Sequence, residues 1–201
     1  MSGIDKNITE RMNKEMAYQN VFSNFEIKNA SIKFKDAEAY VKLGCVGSAE
    51  DELEVKVVTK NCEGVVAKSI ARGAGSGTLT MSLHMKYDLY VEAFGMEQEG
   101  LVAGVMAYGR NSKHKEFALV AQIFDEDGNE KLVAYPRCVM SSAPACSIEN
   151  GAEEVAEIEI EINLFADDNG NVKYEAIASE AEAIAAQWMS AWTPELMQQA
   201  Q

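Results

Sequence analysis

Histidine is scarce in this chain, and several kinds of chemistry go with it. His84 and His114 are the only two among 201 residues, and neither stands in a spacing such as H-x-x-x-H. Zinc hydrolysis and Ser-His-Asp catalysis therefore lack their parts. His84 falls on the polar face of a strand, which favours a surface or interface histidine over a catalytic base. The four cysteines, Cys45, Cys62, Cys138 and Cys146, lie far apart with no C-x-x-C pair. Zinc-ribbon spacing and a small disulfide framework are both missing, and free thiols in or near the core are expected. Long apolar runs are also lacking. The N-terminus, MSGIDKNITERMNKEM, has neither the apolar core of a signal peptide nor a membrane anchor, so synthesis is expected to end in the cytosol.

Basic residues are few: 18 Lys and Arg stand against 32 Asp and Glu, a net charge of −14. Phosphate binding draws its affinity from clustered cations, so this balance disfavours non-specific adhesion to nucleic acid or to an anionic membrane. The acidity is uneven. From Glu149 onward twelve carboxylates face a single base, Lys173. What the chain does have is a core: 47% hydrophobic and 25% charged residues describe a folded domain, and the length suits one.

The pattern along the chain is mainly β with flanking α. Residues 1–20 are polar, an N-terminal arm or short helix, and residues 21–178 carry the strand signals of one β domain. Phe25 and Ile27, Ile32 and Phe34, then Leu53, Val55 and Val57 alternate with polar partners and predict half-buried strands. In residues 78–85, Leu79, Met81, Leu83 and Met85 share one face. The period then changes, with Tyr87, Tyr90, Val91 and Phe94 at helical spacing and Gly95 placed to end a helix. Residues 101–108 and 117–124 are apolar on both faces, the pattern of strands covered on both sides. Asp127-Gly128 and Asn169-Gly170 are hairpin signals. The first predicts pairing of 117–124 with 131–138, and the second pairing of 155–164 with 172–176. Residues 179–201 read as a C-terminal helix that opens on a capping box, Ser179-x-x-Glu182, and packs through Ile184, Ala185, Trp188, Met189 and Trp192. Thr193-Pro194 starts a separate short turn.

Few motifs promise chemistry. Gly73, Gly75 and Gly77 lie in a GAGSG run that lacks the lysine of a Walker loop. A flexible loop at the tip of a long hairpin is the better reading, and such tips serve as contacts between subunits. Arg110 and Lys113 belong to the basic turn RNSKHK, a solvated turn or a contact with an acidic neighbour. The acidic turns at 125–128 and 167–170 lack EF-hand spacing and read as hairpin turns. No metal site, cofactor or catalytic residue is expected, because paired carboxylates occur throughout and no spacing isolates one pair. The most informative stretch is EEVAEIEIEINL at 153–164, where Glu157, Glu159 and Glu161 alternate with Ile158, Ile160 and Ile162. In a monomer that carboxylate ladder looks at water. Repeated around a closed ring, it becomes a negatively charged wall.

The run MKYDLYVEAFGM at 85–96, followed by GLVAGV at 100–105, NGAEEV at 150–155 and DNGN at 168–171, resembles the major tail (tail tube) proteins of siphophages from Gram-positive hosts. The resemblance extends from about residue 20 to about residue 195. It implies a tail-tube β-sandwich or barrel with one helix between strands and a C-terminal helix. It also implies hexameric rings stacked on one another around a tape-measure protein, with tail terminator and distal tail proteins as further partners. Strands of neighbouring subunits would complete an inner barrel through which DNA passes without specific binding during genome delivery, in a virion tail assembled in the host cytoplasm. Two features of the residues fit independently: pairing strand edges around a ring removes exposed edges, and an acidic wall repels phosphate. On this reading Glu157, Glu159 and Glu161 face the lumen, while the N-terminal arm, the Gly73–Gly77 run and the basic turn contact neighbours. The alternative is a monomeric acidic β-sandwich that binds a small ligand or carbohydrate, although no aromatic platform is evident.

Overall fold

A computed structural model describes residues 21–148 and 150–198. The chain forms β1 (Glu26–Phe34), β2 (Val41–Lys42), β3 (Gly44–Cys62), β4 (Val65–Met85), α1 (Tyr87–Ala93), β5 (Phe117–Phe124), β6 (Glu130–Met140), β7 (Ile158–Phe165), β8 (Tyr174–Ile177) and α2 (Glu182–Ala191), then a 3-10 turn at Pro194–Met197. The architecture is mainly β with two flanking helices, as the periodicities indicated. Every strand pairing is antiparallel, in the order β2-β1-β5-β6-β7-β4-β3, with β8 also on β6.

One segment brings the two ends of that sheet together. Val41 and Lys42 pair with Ile32 and Ser31 of β1, Leu43 donates its N–H to the Ala30 carbonyl at 2.9 Å, and from Gly44 the same chain pairs with Met85 of β4. The sheet thus curls into a barrel, closed by a strand that touches both edges. Its interior is filled by Ile32, Leu79, Met81, Leu83, Leu119, Ile160, Ile162 and Leu164, and α1 contributes Leu89, Ala93 and Phe94 to the same core. Alternation explains the filling: each of these strand residues sits two positions from the next inward one.

A second cluster lies on the outer face of β5 and β6, where Val120, Leu132 and Ala134 meet Trp188 and Trp192. The two faces of Phe117–Phe124 are therefore covered by core on one side and by α2 on the other, which accounts for its continuous apolar run. Trp188 also donates its indole N–H to the Val133 carbonyl at 3.1 Å, so the helix is anchored by a hydrogen bond as well as by area.

Helix α1 ends as its sequence indicates. Gly95 has φ +59°, and a Cβ there would lie 2.2 Å from the Lys113 carbonyl oxygen. Only glycine fits both the left-handed backbone and the close approach. The Asp127-Gly128 turn joins β5 to β6 as expected. Asp125 Oδ1 accepts from the backbone N–H groups of Asp127 and Asn129 at 3.0 and 2.7 Å, so the turn is held by its own carboxylate.

Several expectations are corrected. Residues 101–108 form no strand: Gly100 and Gly104 adopt φ +87° and +83°, and Leu101, Val102, Val105 and Tyr108 are exposed. Two left-handed glycines in five residues break a pattern that apolarity alone assigns to β. Nor does Asn169-Gly170 close a hairpin. β7 pairs with β4 and with the second half of β6, whereas β8 pairs with the first half of β6. β7 and β8 run in the same direction end to end along one edge, and the Asp167–Asn171 turn is an excursion between them. The left-handed Gly170 permits a turn without choosing the next partner. The β6 partner changes at Pro136, which has no N–H to give and sits at the register shift between β5 and β6.

The capping box is not formed either. The first helical residue of α2 is Glu182, preceded by Ala181 with no side-chain cap, because Ser179 and Glu180 are taken up by a turn closed on the Ile177 carbonyl. Thr193-Pro194 does open a separate short turn, with proline in its first positions. Of the four cysteines only Cys138 is buried; Cys45, Cys62 and Cys146 are exposed, contrary to a core placement.

Candidate interaction surfaces

The largest departure from expectation is a two-stranded arm. β3 and β4 remain paired far beyond the barrel, to a turn at Glu63-Gly64, with Cys62 opposite Val65. From Val55 to Arg72 almost every residue is exposed, including Val55, Val57, Val58, Val65 and Val66 at 56–70%. The expectation that Leu53, Val55 and Val57 are half-buried is overturned: all three are exposed, and among the described residues no layer covers either face of the ribbon that begins at Val55. Gly73, Gly75 and Gly77 are not a loop at the hairpin tip but the part of β4 where the arm leaves the barrel. Leu53 pairs with Gly77 and Val55 with Gly73, so Glu54 faces three residues in a bulge. Gly75 has φ +85°, and a Cβ on Gly77 would lie 2.7 Å from the Glu52 carbonyl oxygen. Glycine is needed here for a kink and a close strand approach rather than for flexibility.

The alternation in β7 is observed as read. Ile160, Ile162 and Leu164 are buried and Glu159 and Glu161 exposed. The register extends the acidic face across two more strands: Glu161 lies beside Thr80 and that beside Glu50, Asn163 beside Thr78 and that beside Glu52, and Glu159 beside Ser82. Two rows of carboxylates about 10 Å apart flank a row of hydroxyls. Sequence alone missed Glu50 and Glu52, which join the ladder only through the register of β4. Glu157 is placed differently from its neighbours in the ladder. It precedes β7, and its carboxylate lies over Gly47, where a Cβ would come within 2.2 Å of it.

Arg110 and Lys113 are exposed in the loop beyond α1. His114 holds this loop, with Nδ1 2.7 Å from the Met140 carbonyl and Nε2 3.0 Å from the Tyr108 hydroxyl. His84 is exposed on β4 opposite Cys45. Residues 1–20, the expected N-terminal arm, lie outside the described residues.

Between β1 and β3, beyond their closure at Ala30 and Leu43, a cleft of about 410 Å³ opens onto the barrel interior, floored by Leu79, Met81, Leu119 and Val133. At its rim Lys173 Nζ lies 2.8 Å from both Asp51 and Glu175. Desolvation works against the Lys173 charge, but the two carboxylates outweigh it and hold its pKa above the usual lysine value. The one base of the acidic half is thus a tie from the loop after β7 to β3. Burial first, then the nearby Asp51 charge, pushes the Tyr135 hydroxyl far up, so it stays neutral. Among the described residues no group of three or more side chains is arranged to hold a metal ion.

No protein-family model matches the chain, and no curated protein does. Among solved structures it is similar to a chain of the anti-feeding prophage baseplate, with a TM-score of 0.43, 10% identity, and coverage of 79% of this chain and 97% of that one. A chain of the anti-feeding prophage tube-terminating cap gives a TM-score of 0.39 and 12% identity, over 80% of this chain and 97% of that one. At such scores and identities neither likeness carries an argument about what this chain does.

Proposed function

We propose that this protein is a non-enzymatic structural subunit of a phage-type tail tube, assembling into rings that stack. The observation that carries this reading is the arm. An isolated two-stranded ribbon is marginal in water, and this one presents valines on both faces and its strand edges to solvent. Exposed edges of this kind are tolerated when another chain covers them. A subunit whose arm leaves the barrel at a glycine-formed kink suits repeated contact between copies.

The acidic sheet supplies the second half of the reading. In a ring, the β3-β4-β7 face with Glu50, Glu52, Glu159 and Glu161 forms the lumen wall, with Glu157 at its end. Like charge keeps phosphate away, and hydrated carboxylates offer bases no stacking surface. The tape-measure, terminator and distal tail partners, the hexamer and DNA conduction rest on the sequence resemblance to siphophage tail tube proteins. Size-exclusion chromatography followed by negative-stain microscopy tests the assembly, which predicts rings or tubes. A tube reconstruction that places Glu159 and Glu161 on the outer surface would sink the lumen assignment.

One observation favours a second reading. The cleft between β1 and β3 is large enough for a small ligand, as a monomeric binding module needs. A chain that stays monodisperse and monomeric at all concentrations would favour it over the tube.

A further inference from the structure

The register of the arm sorts its side chains by charge. Directly opposed residues of an antiparallel pair share a face. Lys56 opposes Arg72, Val58 opposes Ile70, and Lys60 opposes Lys68, and all six lie on one face. The other face carries Val55, Val57 and Ala71 with Thr59 and Ser69. Residues 55–72 thus hold four cations against one carboxylate, Glu63, a net of +3 in a chain of −14. Like charges placed directly opposite destabilise a ribbon. Among the described residues none of the four cations forms an ion pair. Two unneutralised cross-strand cation pairs on one face of an acidic protein call for an anionic partner.

The fold also gives the molecule two unlike ends. β4 runs from the arm, past Gly77, to Met85 and α1, and β7 runs back from Ile158 beside Leu83 to Phe165 beside Ser76. The arm therefore leaves one end of the barrel, and the chain enters β7 at the other end through exposed Glu153, Glu154 and Glu157. From Val55 to Cys62 the arm extends about 25 Å, close to the length of β4 within the barrel. It is long enough to span the end of a neighbouring body.

We infer that the cationic face of the arm seats on the acidic β7-entry end of a second copy, at Glu153, Glu154 and Glu157, joining copies head to tail. Such a contact is heterologous: it uses different surfaces on the two partners and propagates rather than closing a dimer. The inference rests on the proposed self-assembly and names the surfaces that would stack. Opposite charge across it sets register and excludes the reversed orientation, in which arm meets arm.

The test uses the full chain and sedimentation velocity across a concentration series. Raising NaCl from about 50 to about 500 mM should weaken wild-type assembly, because exposed charge pairs are screened. Lys60→Glu with Lys68→Glu should raise the concentration needed for assembly by about tenfold or more. Adding Glu153→Lys and Glu154→Lys to that variant should restore assembly. Circular dichroism checks that the barrel is intact in each. Salt-independent assembly, or normal assembly of the Lys60/Lys68 variant, overturns the inference while leaving the tube reading in place. Loss without rescue by the charge swap overturns the named acidic surface. A fluorescent DNA duplex that binds the wild type and not the variant assigns the face to nucleic acid and overturns it too. A wild-type chain that is monomeric throughout removes the tube reading itself.

Discussion

Two buried tryptophans on the same helical segment should respond in opposite ways to loss of the indole N–H. Trp188 and Trp192 are each 1% exposed in the cluster on β5 and β6. Trp188 donates to the Val133 carbonyl, whereas among the described residues the buried Trp192 Nε1 has no partner. Replacing either by phenylalanine removes a volume of roughly 40 Å³, which at about 24 cal/mol per Å³ costs about 1 kcal/mol in each case. Trp188→Phe also gives up the hydrogen bond to the Val133 carbonyl, whose strand is paired on both sides, adding about 0.5–1.5 kcal/mol. Trp192→Phe instead removes a buried unsatisfied donor, returning about 1–3 kcal/mol. The first variant should therefore lose about 1.5–2.5 kcal/mol, and the second should lie between neutral and about 2 kcal/mol more stable. For a domain of this size each kcal/mol moves the melting temperature by about 2–4 °C. Urea denaturation and calorimetry of the two variants measure the difference. Equal destabilisation by both would refute the reasoning.

Gly95→Ala places a Cβ in a left-handed backbone 2.2 Å from the Lys113 carbonyl; a loss of about 3 kcal/mol or more is expected in chemical denaturation. Opposite faces of β7 should separate cleanly, with Ile160→Ala costing about 2–5 kcal/mol and Glu161→Gln within about 0.5 kcal/mol in the same assay. The Asp167 carboxyl pays for partial burial but accepts hydrogen bonds from Tyr174, Asn171 and Asn169, and these hold its pKa below the usual aspartate range. Its contribution is present at neutral pH and lost as pH falls through that depressed value. Asp167→Asn should thus be less stable than the wild type at pH 7 and converge with it as pH falls through that depressed value in an acid-unfolding series. Replacing residues 55–72 by a tight turn should leave the melting temperature of the monomer within about 2 °C and abolish higher assemblies in sedimentation.

How much was legible in the chain depends on whether a residue's neighbours are local. The glutamate and isoleucine alternation of β7 was readable because one buried face forces period two. Helix α1 was readable because Gly95 closes it within its own turn. The sheet partners of β7 and β8 were not, since no local residue records that β6 changes partner at Pro136. The arm is illegible for a physical reason: Val55, Val57 and Val58 have the composition of a core strand, and composition does not record whether a second layer exists. The glycine run suggests a tip in the sequence because glycine marks a special backbone without saying whether it turns the chain or kinks a ribbon. Within the acidic face, the Glu159 and Glu161 row was legible and the Glu50 and Glu52 row was not, because the latter is joined to it only through the register of β4.

β3 and β4 belong to two structures at once, and the bulge at Glu54 separates them. On the barrel side, Leu79, Met81 and Leu83 point into the core while Glu50, Glu52, Thr78 and Thr80 form the acidic outer face. On the other side, no residue from Val55 to Arg72 belongs to either buried cluster. The barrel therefore gains none of its core burial from the arm, and the unpaired cations and exposed valines there contribute little to the monomer that would select for them. Continuous backbone pairing through the bulge nevertheless ties the arm's direction to the barrel, and Gly77, with no room for a side chain against Glu52, keeps the two strands close where that direction is set. A contact made by the arm is thereby oriented relative to the acidic sheet on the same strands, which is the coupling that the proposed tube requires of each subunit.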